Sequence, residues 1–318
     1  MTTSIREYAV RRLLWAVPVL ALVTFIVFGL VRLVPGGPAV VMLGADASPE
    51  QLAAVRAELG LNQPVYVQYF DYIGGVLGGD FGRSYVDNQR VGTAIASRLP
   101  TTLFVTLAGF VVSLSVAIPA GTLSAVKRGT KWDSVGLTFG LLGVSIPNFW
   151  LGIVLLLTFG VTYDVLPVAG YVSPLSDPVE GLRYLILPGI TLGTAMAAIV
   201  TRMLRSELLE ELQQDYLDAV RMKGVSETRT LVHAMKNAFI PVVTVIGMQF
   251  GYLLGGSIII EVVFSIPGMG RLLVNAIASR DYITLQGIVI VYTTFFVAVN
   301  LVVDLTYFYL NPKLRGES

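Results

Sequence analysis

The chain has 318 residues, of which 54% are hydrophobic and only 14% charged, whereas an ordinary soluble domain carries about 25% charged residues. A formal net charge of +1 offers no global field for nucleic acid or acidic ligands. With no cysteine and a single histidine, His233, the chain carries no disulfide, no thiolate chemistry and no multi-histidine metal site, so neither catalytic residues nor metal ligands are expected.

Uncharged runs between successive ionisable residues cover 13–31, 101–126, 135–163, 184–201, 237–260 and 282–303. A helix needs about 20 apolar residues, with a lower limit of about 17, to cross a hydrocarbon core of about 30 Å, and all six runs reach that range. The sequence therefore reads as an all-α polytopic membrane protein with six transmembrane helices in one domain over 1–318. A large soluble helical protein would need charged faces between its helices, and the runs have none. The first run reads as an uncleaved helix: it exceeds a signal segment in length, and no clean small-x-small site precedes Pro35-Gly36-Gly37-Pro38.

Residues 32–100 form a long insertion between the first two spans. Ser48 as N-cap, Pro49 at the first helical position and Gln51 at the reciprocal capping position predict a helix to Leu59, ended by Gly60. A second helix is predicted over 65–77, with Tyr69, Tyr72, Ile73 and Val76 on one face and Gly78-Gly79 closing it. The insertion is either a cover for helix ends or a docking surface for an external partner.

In the third run, Ser145-Ile146-Pro147-Asn148 interrupts the helix near its middle, and a kink or tilt is expected. Ser145 and Asn148 either face a wet cavity or satisfy the carbonyls that Pro147 frees. After the fourth span, Leu204, Leu208, Leu212, Tyr216 and Val220 recur every four residues with Glu207, Glu210, Glu211, Gln214 and Asp218 between them. That pattern is an amphipathic helix continuing from the span and ended by Gly224, with a second stretch from Glu227 leading into span 5. The 202–237 loop is locally neutral, which suits a protein-docking surface better than a polybasic lipid-binding one. Gly247, Gly251 and Gly255, and Gly136 with Gly140, repeat at the spacing that permits close helix approach; lining a pathway is the alternative.

Lysine and arginine concentrate at the two ends of the chain and in the loops holding Lys127, Arg128 and Lys131 and Arg202, Arg205, Arg221, Lys223, Arg229 and Lys236, which places both termini in the cytoplasm. The runs hold no ionisable group to titrate or coordinate an ion, which weakens a secondary transporter without eliminating it; Glu261, Asp281 and Asp304 sit at predicted ends. No lysine follows a glycine, so the chain has no phosphate-binding loop. His233 reads as a solvated or docking residue. What remains is a pathway without an engine, driven through its cytoplasmic helix by another subunit.

The stretch from Asp215 to Val225, with His233 to Pro241, resembles the cytoplasmic signature loop of ABC importer permeases, named for its Glu-Ala-Ala…Gly pattern. Asp218, Ala219 and Val220 stand at the three named positions and Gly224 at the glycine, with Asp in place of Glu and Val in place of the second Ala. Further pieces follow in order: Arg11-Arg12-Leu13-Leu14, Gly60-Leu61-Asn62-Gln63-Pro64, Gly79-Asp80-Phe81-Gly82-Arg83-Ser84, Arg98-Leu99-Pro100-Thr101, Pro267-Gly268-Met269-Gly270-Arg271, Arg280-Asp281-Tyr282 and Asn311-Pro312-Lys313. Together they resemble the first permease subunit of a dipeptide/oligopeptide-type importer.

The resemblance implies a type I importer fold in a prokaryotic cell membrane and a second homologous permease. It further implies two cytoplasmic ATPases that bind ATP and Mg, and an extracytoplasmic substrate-binding protein, with no cofactor on this chain and no nucleic acid partner. It assigns ATPase coupling to Tyr216, Asp218, Ala219, Val220, Lys223 and Gly224, Asp218 meeting a basic group on the ATPase. Ser145, Asn148, Gln249, Pro267, Gly268 and Gly270 are candidates for the pathway or a gate. Di- and oligopeptides are the expected cargo, with nickel complexes, glutathione or sugars carried by relatives; a stand-alone secondary transporter or channel is the competing class. A reporter fused to the C-terminus should be active if it works only in the cytoplasm; activity solely of a reporter that works outside the cell would contradict this orientation.

Overall fold

The computed structural model describes residues 5–33, 37–44, 47–58 and 60–310. Pro35, Gly36, Leu59 and the Asn311-Pro312-Lys313 motif lie outside the described residues. Twelve α-helices appear in chain order among them: α1 Ile5–Arg32, α2 Gly37–Leu43, α3 Pro49–Glu58, α4 Val65–Leu77, α5 Val91–Val126, α6 Lys131–Ser145, α7 Asn148–Leu155, α8 Pro178–Glu211, α9 Asp215–Met222, α10 Glu227–Val263, α11 Met269–Ala278 and α12 Tyr282–Leu310. A π-helical stretch, Leu156–Thr162, prolongs α7. No strand occurs among the described residues; the one β-bridge joins Arg83 to Arg90 across a turn in which Asn88 has a φ of 57°.

Five helices (α1, α5, α8, α10 and α12) are long and apolar enough to cross a membrane, and α6 with α7 and its π extension makes a sixth span if the bent pair is counted as one. The bend between them is 102°, far beyond a kink. Its cause is local. Pro147 has no N–H to donate and pushes the preceding residue out of the helical region, and Ile146 accordingly adopts φ −82°, ψ 122°. The third apolar run is thus two helical segments joined by a sharp bend rather than one kinked helix.

The chain divides into two compact units. The first comprises Met1–Val10, Thr101–Pro267 and Ala298–Ser318. Its centre is α8, started by Asp177, whose carboxylate accepts hydrogen bonds from the Val179 and Glu180 N–H groups at 3.1 Å each, with Pro178 at the first helical position. Leu187, Leu192, Met196, Val200 and Leu204 of α8 pack with Val105 and Ala117 of α5 and Val242, Leu253 and Ile260 of α10. The approach of α8 to α5 depends on glycine: a Cβ on Gly193 would lie 2.5 Å from the Gly109 carbonyl oxygen. The small-residue stripe of α10 divides in its use. A Cβ on Gly247 would overlap Val303, Gly251 is buried, and Gly255 faces open space.

A buried acid also belongs to this unit. Glu261 is fully buried near the end of α10, and Thr102 Oγ1 donates to its Oε1 at 2.7 Å.

The second unit comprises Arg11–Pro100 and Gly268–Val297. Val91, Ile95, Met269 and Ile288 form its core, with Phe81, Leu99, Leu272 and Ile283 packed on it. The capping box forms: Ser48 N–H donates to Gln51 Oε1 at 3.0 Å and Gln51 N–H to Ser48 Oγ at 3.3 Å. Gly60 follows with a φ of +63°, and α4 takes the predicted bounds. Its Tyr69 ring lies 5.2 Å from Phe28 of α1, edge to face, and the Tyr69 hydroxyl lies 3.0 Å from Thr24 Oγ1.

Overpacking of this kind typically costs about 1–3 kcal/mol. Gly193→Val should therefore lower the thermal midpoint of the purified chain, whereas Gly255→Ala should leave it unchanged or raise it. Equal behaviour of the two variants would contradict the assigned packing.

Candidate functional site

The polar segment between α8 and α10 is built on a continuation of α8. The helix runs from the apolar core to Glu211 without a break, even though Pro188 lies inside it. The four-residue stripe predicts one helix from Leu204 to Val220; the structure corrects this. A turn at Leu212–Gln214 separates α8 from α9, with Gln214 N–H donating to the Glu211 carbonyl at 3.1 Å and Leu217 N–H to the Gln214 carbonyl at 3.0 Å. The turn shifts the phase of the apolar face. Leu217, not Tyr216, points inward, joining Leu208, Ala125, Ala234 and Ala238 in a small apolar cluster. Tyr216 stays 38% exposed. Burial of Leu217 overrides the simple period because it seats α9 on three other helices.

Tyr216 is nevertheless pinned. Its hydroxyl donates to Glu211 Oε1 at 2.6 Å, and Asn237 Nδ2 donates to the same Glu211 oxygen at 2.9 Å and to the Tyr216 hydroxyl at 3.1 Å. The phenol is pushed up to about 12, first by burial and then by its hydrogen bond to the Glu211 carboxylate, so it stays a donor at neutral pH. This triad ties the end of α8, the start of α9 and the first turns of α10 together.

The remaining residues of the predicted set face outward. The Asp218 side chain is 70% exposed and accepts from Arg221 Nη1 at 2.8 Å, while Arg221 Nε lies 3.6 Å from Glu227 Oε1. An exposed pair of this spacing contributes about 0.3–0.5 kcal/mol, so it orients Asp218 more than it stabilises the helix. Ala219, Lys223 and Gly224 are exposed and Val220 is half-buried. Met222, which the sequence reading passed over, is 83% exposed on the same short helix. Gly224 has a φ of +79° and no atom within 4 Å of where a Cβ would stand. Backbone conformation, not lack of room within this chain, requires glycine there. His233 is exposed.

A second anchor holds the segment from the other side. Arg205, on the last turns of α8, donates through Nε to Asp133 Oδ1 at 2.6 Å and through Nη2 to Oδ2 at 2.9 Å. Ser124 Oγ of α5 donates to Oδ1 at 2.7 Å, and the Gly129 N–H to Oδ2 at 3.0 Å. Asp133 is 7% and Arg205 20% exposed. One carboxylate therefore joins α5, the turn before α6, α6 itself and α8 by charge-assisted bonds. Neither residue stood out in the sequence; the available signal was an acid and an arginine at the polar ends of neighbouring spans.

The pathway candidates are not brought into one constellation. Ser145 Oγ donates to the Leu141 carbonyl at 2.8 Å, one turn back on its own helix. Asn148 is half-buried at the start of α7, and Gln249 is half-buried on α10. No hydrogen bond joins Ser145, Asn148 and Gln249 among the described residues. Pro267 is exposed, and Gly268 and Gly270 are buried at the start of α11. Among the described residues no cluster of three or more His, Asp or Glu could hold a metal ion.

Comparison with known proteins adds to this geometry. The family described as "Binding-protein-dependent transport system inner membrane component" matches residues 117–316, and its N-terminal companion matches residues 5–106. A Brucella abortus (strain 2308) protein provisionally named a peptide transport system permease protein is 42% identical over 308 residues, which is 96% of this chain and 98% of its own. The glutathione transport system permease protein GsiC of Salmonella choleraesuis (strain SC-B67) is 42% identical over 310 residues, 97% of this chain and 99% of its own. Among solved structures, a chain of the MetNI methionine ABC transporter in inward-facing conformations superposes with a TM-score of 0.52 at 16% identity, covering 67% of this chain and 93% of that chain, a likeness of fold.

Removing one partner of a buried ion pair destabilises by about 3–5 kcal/mol. Asp133→Ala and Arg205→Ala should each lower the thermal midpoint of the purified chain, and the double variant should lose much less than the sum. Additive losses in that cycle would show that the pair does not act as a unit.

Proposed function

Because the chain belongs to the binding-protein-dependent transport system inner membrane component family, we propose that α9 and Gly224 form the contact through which a cytoplasmic ATPase drives this permease subunit of an ABC importer. Peptides or related small solutes such as glutathione are the proposed cargo, handed over by an extracytoplasmic binding protein and passed through a pathway shared with a second permease. Both termini and the 202–237 segment lie in the cytoplasm in this reading. ATP and Mg are bound and used by the ATPase partners.

The observation that carries the proposal is the exposed left-handed Gly224 at the end of a short helix that is fixed only from behind. Leu217, the Tyr216–Glu211–Asn237 triad and the Arg205–Asp133 pair hold the rear of the segment. Asp218, Ala219, Met222 and Lys223 are left facing outward. Such a surface transmits force well, because a push on the exposed face cannot be absorbed by slack behind it. When the ATPase pair closes on ATP, α9 would move with it, and α8, about 50 Å long at 1.5 Å per residue, would carry that movement into the membrane. The insertion over 32–100 is the proposed contact for the external binding protein.

Gly224→Asp should leave membrane insertion intact and abolish substrate-stimulated ATP hydrolysis in the assembled complex. Gly224→Asn, which tolerates the left-handed region better, should retain part of it; normal stimulation in the aspartate variant would refute the contact. Asp218→Lys places like charges at Asp218 and Arg221 and should weaken co-purification of the ATPase, and unchanged co-purification would remove Asp218 from the interface.

A further inference from the structure

The second unit holds a cavity of about 240 Å³ at the end of α1, far larger than the about 10–15 Å³ that a single water requires. Arg32, the last residue of α1, lines it. The guanidinium carbon sits 3.4 Å above the centre of the Phe28 ring, Nη1 donates to the Phe28 carbonyl at 3.1 Å, and Nη2 donates to Gln68 Oε1 at 2.5 Å. Gln68 cannot turn away, because its Nε2 donates to the Gln63 carbonyl at 2.8 Å and the Leu61 carbonyl at 3.2 Å. Arg32 is thus held in one position with part of its donor fork unused, and no carboxylate lies within ion-pair distance of it among the described residues.

The same cavity contains a second donor in need of an acceptor. The Tyr72 hydroxyl is buried and has no hydrogen-bond partner among the described residues. Burial pushes the phenols of both Tyr72 and Tyr85 up, the latter to about 12, so both remain protonated donors. Gln286 is fixed by donation to the Val27 carbonyl at 3.0 Å. Asp71 is the one carboxylate in the lining among the described residues. Positioned donors around a void, with a single acid at its edge, suit an oxyanion that carries an ammonium group nearby.

The depth of the site selects among such ligands. Arg32 immediately follows the apolar run of α1, where lipid phosphates meet the end of a span. Leu22, Ile26 and Leu30, all about half exposed, lead along the helix from that point. We propose that the cavity binds the headgroup of a phospholipid bearing a primary amine, with the phosphodiester oxygens on Arg32 and the Tyr72 hydroxyl and the ammonium toward Asp71. A zwitterionic peptide offers similar charges but gives no role to the apolar face below.

The test uses the full chain in mild detergent, with retained lipid read by native mass spectrometry against phosphatidylethanolamine, phosphatidylglycerol and phosphatidylcholine, and with dialanine as competitor. Phosphatidylethanolamine should be retained about tenfold better than the other two. Tyr72→Phe deletes only an unpartnered hydroxyl, so without lipid its thermal midpoint should match or exceed that of the parent, while its retention of phosphatidylethanolamine should fall about tenfold, as expected for one charge-assisted hydrogen bond. Asp71→Asn should erase the preference for ethanolamine over glycerol. Equal retention of the three lipids, unchanged retention in Tyr72→Phe, or displacement of lipid by dialanine would each overturn the proposal.

Discussion

An α-helix is stiff along its axis because every turn is closed by hydrogen bonds, and the unbroken run of α8 from Pro178 to Glu211 makes that stiffness the central constraint of the first unit. Its apolar half is buried among α5 and α10, where Leu187, Leu192, Met196 and Leu204 leave almost no surface exposed. Its polar end reaches the segment that carries α9. No break lies within α8 between the two, and the Tyr216–Glu211–Asn237 triad bridges the turn at Leu212–Gln214 that follows, so the membrane core and the polar segment are coupled along this element. Pro188 removes one backbone hydrogen bond, yet it is buried and the helix continues through it to Glu211.

The two polar anchors gain meaning from that rod. Arg205 clamps α8 to α6 and to the turn at Gly129, and the Tyr216–Glu211–Asn237 triad clamps its last residue to α9 and α10. Charged groups placed this close to apolar surface are stable only when paired; both Asp133 oxygens accept from Arg205, and each takes one further bond, Oδ1 from Ser124 and Oδ2 from the Gly129 N–H. The contrast with Asp218 and Arg221 is instructive. Those residues form an exposed pair of small energetic value, which suits a surface meant to exchange its partner.

Much of this architecture was legible in the sequence, for reasons that follow from range. Lipid depletes charge over about twenty residues at a stretch, so the spans announce themselves without any knowledge of their neighbours. The Ser48–Gln51 capping box and the left-handed Gly224 are likewise decided within a few residues. Elements that depend on distant partners were not legible. Leu212 and Tyr216 continue the four-residue period perfectly well on paper, and only the pocket formed by Leu208, Ala125, Ala234 and Ala238 makes Leu217 the better inward residue. Arg205 meets an acid 72 residues away. Pro147 foretells a break, but its 102° depends on how closely Gly143 approaches Ala198 and Gly152 approaches Thr191. The residues proposed for the pathway were the least legible, since Ser145, Asn148 and Gln249 share neither a spacing in the chain nor a hydrogen bond among the described residues.

The central claim is that α9 and α8 move as one body when the ATPase closes. The absence of cysteine from the chain allows spin labels to be placed cleanly at Met222 and Leu182, both well exposed. Pulsed dipolar spectroscopy on the assembled importer can then compare this distance without nucleotide and with ATP trapped. The account predicts an unchanged Met222–Leu182 distance while the distance from Met222 to its counterpart on the second permease shortens. A change of several ångströms within the single chain would contradict it.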